Sequence, residues 1–215
     1  MIFQALKSSL QSVLRPRCLL CDLHEVHGDT PMCKDCRTDL SWRGETVIVQ
    51  DLSIQVAFAY QWPIDRLIHL YKYQARLELL SIFECGMMQL TRPKADALLA
   101  VPLSPMRLQE RGFNQSHELA KRMANHWNIP LLTGVNRRDG VKQKGLSRGE
   151  RLQNLDDAFV LDVPTHVLPR RIALMDDVLT TGSTLLSLAS YLRARGVVEL
   201  TGLVVASQHQ YRSNQ

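Results

Sequence analysis

Two adjacent carboxylates, Asp176 and Asp177, close an apolar run and are followed by Thr180, Thr181, Gly182, Ser183 and Thr184. A loop with several backbone N–H groups, a glycine for close approach, four hydroxyls and the positive end of a following helix is equipped to hold a phosphate. Carboxylates beside a phosphate repel it, so the acids need another object. Sugar hydroxyls, from which they accept hydrogen bonds, or a Mg²⁺ ion would serve. A phosphorylated sugar satisfies both halves of the stretch. An ordinary helix cap is the plainer reading, but a cap needs one such residue rather than seven. No G-x-x-x-x-G-K-S/T and no strand-following G-x-G-x-x-G occurs, which argues against Walker-type and dinucleotide sites. An aspartate phosphatase fits last, because no second acid stands two residues after either aspartate.

A second chemistry lies near the start. Cys18, Cys21, Cys33 and Cys36 form a C-x2-C-x11-C-x2-C array. Each pair can place two thiolates on one ion, and two pairs make a closed tetrahedral site without an open position, so the zinc they imply is structural. Disulfides would need an oxidising compartment. His24 and His27 between the pairs are read as loop residues, and Cys85 as a small buried hydrophobe.

Cations supply the third signal. In AVPLSPMRLQERGFNQS a strand breaks at two prolines, and Arg107 and Arg111, four apart, share one side if the segment turns helically. Their forked guanidiniums can clamp a second phosphate group. Between Arg107 and Arg151, ten basic residues stand against four acidic ones, although the whole chain carries only +5. That segment suits a pyrophosphate or a nucleic-acid backbone, and equally a solvated surface. Its polar stretch NRRDGVKQKGLSRGERLQNL is either a loop that closes over a pyrophosphate or a linker; composition does not separate the two.

The elements that position these residues follow from periodicity. The chain has 215 residues, 45% hydrophobic and 22% charged, enough for one α/β domain with a small appendage. Strands are predicted at TVIVQ and IQVAFAY, joined through Asp51, Leu52 and Ser53, and at ALLAVP, PLLTGV, AFVL, RIALM and LTGLVVAS. A helical pattern runs from Ile64 to about Leu90, SPMRLQERGFNQSHELAKRMANHW should hold a loop and a helix of about three turns, and SLASYLRARG forms another. Apolar strands alternating with helices predict a mainly parallel sheet covered on both faces, with ligands outside the carboxyl ends of its strands. Residues 1–17 carry Ile2, Phe3, Leu6, Leu10, Val13 and Leu14 at helical spacing, an amphipathic helix for the protein's own domain, a partner or a membrane surface. No membrane span or signal-peptide core is recognisable, and a cytoplasmic protein is expected.

In this order, the cysteine quartet, YKYQAR, VPLSPMRLQERGFNQSHELA, QKGLSRGERLQNLDDAF and LMDDVLTTGSTL resemble the ComF family of competence proteins, which includes GntX-like proteins. The acid pair and TTGST resemble the 5-phosphoribosyl-1-pyrophosphate (PRPP) loop of the phosphoribosyltransferases. The resemblance implies an N-terminal zinc knuckle over 18–44 and a phosphoribosyltransferase-like domain over 45–215. It implies that Asp176 and Asp177 take the ribose hydroxyls and serve catalysis, that Thr180 to Thr184 take the 5-phosphate, and that Mg²⁺ accompanies PRPP. Pyrophosphate falls to Leu103, Ser104, Arg107, Arg111, Lys144 and Arg148. The family's link to natural transformation implies handling of single-stranded DNA, for which Arg137, Arg138, Lys142 and Lys144 are the candidate contacts, and Trp42, Tyr71, Tyr73 and Phe113 the candidate stacking rings. A competence helicase or an inner-membrane translocation protein is the candidate partner. An active transferase acting on a nucleobase or other amine, without direct DNA contact, is the alternative; its acceptor site would draw on Tyr60 to Arg76, with Lys72 or Tyr73 as candidates.

Overall fold

Five strands form one sheet in the order β1-β2-β7-β6-β3. The strands are β1 (Trp42–Val49), β2 (Leu52–Ala59), β3 (Ala97–Ala100), β6 (Arg171–Leu179) and β7 (Glu199–Ser207). β2, β7, β6 and β3 run parallel and β1 is antiparallel at the edge, so the sheet is mixed and mostly parallel. A two-stranded antiparallel ribbon, β4 (Val135–Arg137) and β5 (Phe159–Leu161), pairs separately from it and shares a buried cluster with one of its faces. This computed structural model describes residues 17–26, 31–138, 158–162, 164, 165 and 168–208. The helix expected over 1–17, His27, and the cations Lys142, Lys144 and Arg148 fall outside the described residues.

Successive side chains of a strand point to opposite faces, and the core divides accordingly. Ala173 and Met175 of β6 join one buried cluster, with Leu203 and Val205 of β7. Ile172 and Leu174 join the other, with Val204. The first face is covered by helices α2 (Ile64–Tyr73), α3 (Leu80–Met87) and α5 (Gln115–Trp127), the second by α6 (Ser183–Arg193). Cys18, Cys33 and Cys36 belong to the first cluster, so the knuckle and its short helix α1 (Lys34–Thr38) share a core with the sheet.

Local chemistry moves several expected boundaries. The hairpin turns at Gln50 and Asp51, because Leu52 is fully buried and pairs with Val49 as the first residue of β2. The helix expected from Ile64 to Leu90 is broken at Gln74 to Arg76, where Ala75 has φ +50°, and resumes through a 3₁₀ turn at Leu77–Leu79. Within PLLTGV, Leu131 forms an isolated parallel bridge to Leu98 and Val135 opens β4. The PMRLQER segment is helical, as α4 (Pro105–Arg111), and ends at Gly112. Cys85 is exposed rather than buried, since it lies on the outer side of α3 while Gly86 faces the core.

At Gly86 an added Cβ would lie 2.2 Å from the Phe58 ring. Phe58 is itself 2% exposed and has little room to retreat. Overpacking of this kind costs about 1–3 kcal/mol. Gly86→Ala is therefore expected to lower the thermal midpoint by several degrees in a melt followed by circular dichroism.

Candidate functional site

The carboxyl ends of β2, β3, β6 and β7 open onto one cleft of about 230 Å³. Tyr60 follows β2, Val101, Pro102 and Leu103 follow β3, Asp176 and Asp177 sit in the last turns of β6, and Gln208 follows β7. Helix α2 adds Lys72, α4 adds Arg107 and Arg111, and β4 adds Arg137. Two carboxylates therefore face three guanidiniums and an ammonium across a small polar space.

The acid pair is held from several sides. Asp177 accepts an ion-paired contact from Lys72 Nζ at 2.8 Å, with both side chains largely buried. Asp176 Oδ1 accepts from Ser116 Oγ at 3.0 Å and from the Asp177 N–H at 2.9 Å. Burial, and then the charge of Asp177, push the Asp176 carboxyl up to about 7; the Asp177 N–H, Ser116 and Lys72 counter them only in part. A buried acid beside a second acid resists ionisation, and a ligand that donates hydrogen bonds or brings positive charge would relieve it.

The segment RGFNQS is the bracket on which this geometry hangs. Asn114 caps α5, accepting from the Ser116 and His117 N–H groups, while its Nδ2 donates to the Val101 carbonyl at 3.0 Å and ties the helix to the end of β3. Gln115, 1% exposed, accepts from Arg111 Nη1 at 2.9 Å. Its carbonyl accepts from Tyr71 Oη at 3.2 Å. Ser116 then reaches the acid. Phe113 packs edge-on against Tyr71, which in turn packs on Phe83.

The hydroxyl loop meets the cleft at Thr180 and Thr184, while Thr181 and Ser183 lie on its exposed side. Thr181 Oγ1 donates to Ser183 Oγ at 3.1 Å and accepts from the Ser183 N–H at 3.3 Å. Gly182 has φ +76° and leads into α6, and an added Cβ there would come within 3.1 Å of Val49 on β1. Only glycine suits both the turn and that approach. Gly182 has no side chain with which to cap α6, so the positive end of that helix faces the loop. On the other wall, Ser104 Oγ accepts from the Arg107 N–H and starts α4, which places Arg107 and Arg111 one turn apart. Arg137 lies near Arg107 and Asp176 and stacks 5.8 Å from the Phe159 ring; burial and the Arg107 charge hold its guanidinium below its ordinary range, against the pull of Asp176.

The four cysteines converge as their spacing predicts, with all sulfurs within 4.8 Å of one another. Burial raises the Cys18 thiol, but N–H donors of Cys21, Cys33 and Leu20 outweigh it and bring it down to about 6. Burial and the neighbouring sulfurs push Cys36 strongly up. Four sulfurs this close cannot all ionise without a cation among them, and the set fits a metal ion of the zinc type.

No family model matches the chain. It is 36% identical to competence protein F of Haemophilus influenzae over 179 residues, 78% of this chain and 75% of that protein. It is 30% identical over 191 residues to the DNA utilization protein YhgH of Salmonella typhi, 83% of this chain and 78% of the relative. The chain belongs to the ComF family. Competence protein ComFC of Bacillus subtilis is 28% identical over 198 residues, 88% of this ComF chain and 77% of ComFC. Among solved structures, the glutamine PRPP amidotransferase of B. subtilis aligns over 63% of the chain and 30% of its own, at 19% identity and a TM-score of 0.45. Orotate phosphoribosyltransferase from Aeropyrum pernix aligns over 63% of each chain, at 17% identity and 0.39.

Of the residues singled out in this ComF sequence, Asp176, Asp177, Thr180, Thr184, Leu103, Arg107 and Arg111 line one cleft, and Ser104 supports its wall. Arg137, expected on a DNA-contacting stretch, lines the cleft, and Arg138 beside it is exposed. Tyr71 is buried in the core, and Phe113 is half-buried against it. Ser116, Asn114 and Gln115 are positioning residues that no local sequence pattern ties to the acids. They sit sixty residues from the acids, and only the unusual density of polar residues at a helix start marked them. Lys72, a candidate for the acceptor site, is the partner of Asp177.

The raised Asp176 has a thermodynamic consequence. Its folded-state affinity for a proton exceeds that of the unfolded chain, so its contribution to stability falls as pH rises from the ordinary carboxylate range through about 7. Asp176→Asn keeps an acceptor for Ser116 and removes the charge. The variant is expected to be more stable than the parent by about 1–3 kcal/mol above pH 7, with the gap closing toward pH 4. Thermal melts of both proteins across that range check it.

Proposed function

We propose that this ComF-family protein binds PRPP, with Mg²⁺, in the cleft at the carboxyl ends of β2, β3, β6 and β7, and that it acts in natural transformation, handling single-stranded DNA in the cytoplasm. The observation that carries the reading is the opposition of Asp176, Asp177 and the Thr180–Thr184 loop to Arg107, Arg111 and Arg137 across one small cleft. On this reading, Asp176 and Asp177 accept from the ribose hydroxyls, and the loop with the α6 N-terminus takes the 5-phosphate. The guanidiniums, joined by Lys144 and Arg148, take the pyrophosphate. Mg²⁺ supplies further neutralisation of the phosphates.

The same arrangement supports group transfer as the second reading. A nitrogen nucleophile would form a bond to ribose C1 as the C1–O bond to pyrophosphate breaks, and the departing pair of electrons would go to the pyrophosphate. Fixed cations at the leaving group and carboxylates near the developing positive charge on the sugar lower such a barrier without any covalent nucleophile. The four-cysteine centre takes no part in this chemistry. We assign it structural zinc, since a closed sulfur set leaves no position for substrate.

Calorimetric titration of PRPP with Mg²⁺ is expected to give saturable binding that Asp176→Asn/Asp177→Asn abolishes in a protein that still folds. Absence of binding to the intact protein would remove the reading. For the metal, the purified protein is expected to contain about one zinc ion per chain, released to a chelator with a fall in thermal midpoint of many degrees. Metal analysis and melts before and after chelation check this, and Cys36→Ser should mimic it.

A further inference from the structure

We propose that the outward face of α2, together with Trp62 just before it, is a stacking platform for single-stranded DNA leading to the mouth of the cleft. The inference rests on the DNA-handling part of the function proposed above and assigns that part a surface. Helix α2 buries Ile64, Leu67, Ile68 and Tyr71. Its exposed side carries Arg66, His69 and Tyr73. These three step by three and four positions, the spacing of a single helical face, over about 10 Å, and Trp62 stands exposed just before Pro63, the residue that caps the helix.

Three observations turn this face into a site of stated chemistry. Among the described residues, Trp62 at 65% and Tyr73 at 62% are the two Phe, Tyr or Trp side chains more than half exposed, and they flank α2, one at each end. Their neighbours are planar as well: the His69 ring lies 4.9 Å from that of Tyr73, and the Arg111 guanidinium lies over Tyr73 at 5.3 Å. Rings and guanidinium planes in a row are what unpaired bases stack upon, without preference for sequence.

The charge also suits a polyanion. Arg66 and Arg111 supply cations, while Asp65 is turned onto its own helix, its Oδ1 accepting from the Arg66 N–H at 2.7 Å, and Glu78 is engaged by Arg76. A protein partner would be served better by aliphatic side chains, and the row from Trp62 to Tyr73 presents none outward. Arg111 belongs to both surfaces, lining the cleft and covering Tyr73. Lys72, next in sequence to Tyr73, reaches Asp177. A strand lying along α2 would thus end beside the sugar-phosphate site.

The test uses the zinc-loaded full chain and fluorescein-labelled dT20, followed by anisotropy at low and moderate salt. Trp62→Ala and Tyr73→Ala are each expected to weaken binding about tenfold, and the double variant more, with the circular dichroism spectrum unchanged and, for Trp62→Ala, the PRPP titration unchanged as well. Replacing the bases of the oligonucleotide by abasic sites should erase the difference between parent and double variant, because only stacking is lost. Arg66→Gln should reduce the salt dependence without abolishing binding. If the parent binds dT20 and the double variant binds it equally well, the platform is overturned while DNA handling stands. If the parent does not bind dT20 at all, both fall, and the PRPP titration still reports separately on the cleft.

Discussion

Two like charges at the end of one strand govern much of this molecule. Asp176 and Asp177 are consecutive on β6, in a sheet otherwise filled with aliphatic side chains, and nothing in the local sequence offsets them. Their compensation comes from afar: an ammonium from α2, a hydroxyl from α5 and guanidiniums from α4 and β4. The helices are therefore constrained twice, by the apolar stripe that each buries and by the polar group that each must deliver to the same corner. Such a corner is stable enough to exist and unsatisfied enough to bind, which is the usual compromise of a functional site.

The delivery depends on a short chain of contacts rather than on any single bond. Asn114 fixes the start of α5 to the end of β3, Gln115 steadies Arg111, and Ser116 touches the acid, so three consecutive residues set the relative placement of both walls. A helix beginning held by side-chain caps at its N–H groups and by an amide to a strand carbonyl has little freedom to slide. Side chains mounted on it inherit that precision.

Much of this was legible in the sequence, for reasons that differ by residue. The hydroxyl loop and the acids are contiguous, so their chemistry could be read where they stand, and the cysteine spacing states its own geometry. Arg107 and Arg111 required only the assumption of a helical turn, which α4 supplies. Lys72 and Ser116 were not legible as partners of the acids, because contacts across a hundred and across sixty positions leave no local pattern. Tyr71 misled in the opposite sense: an aromatic residue in a polar neighbourhood suggested a stacking surface, yet the 3.6-residue period places it inward and Tyr73 outward. The break at Ala75 was hidden because the apolar period continues on both sides of it.

The cysteine cluster lies in the same buried cluster as Phe58, Phe83 and Tyr71, and Tyr71 holds the carbonyl of Gln115. A metal knuckle appended by a linker could be lost without consequence for a distant cleft. Here the sulfur cage is a cornerstone, and its loosening would be felt first in the ring packing and then in the placement of Arg111 and Ser116. The order that the four sulfurs bring to this core thereby reaches the cleft at a distance, through residues that do not line it.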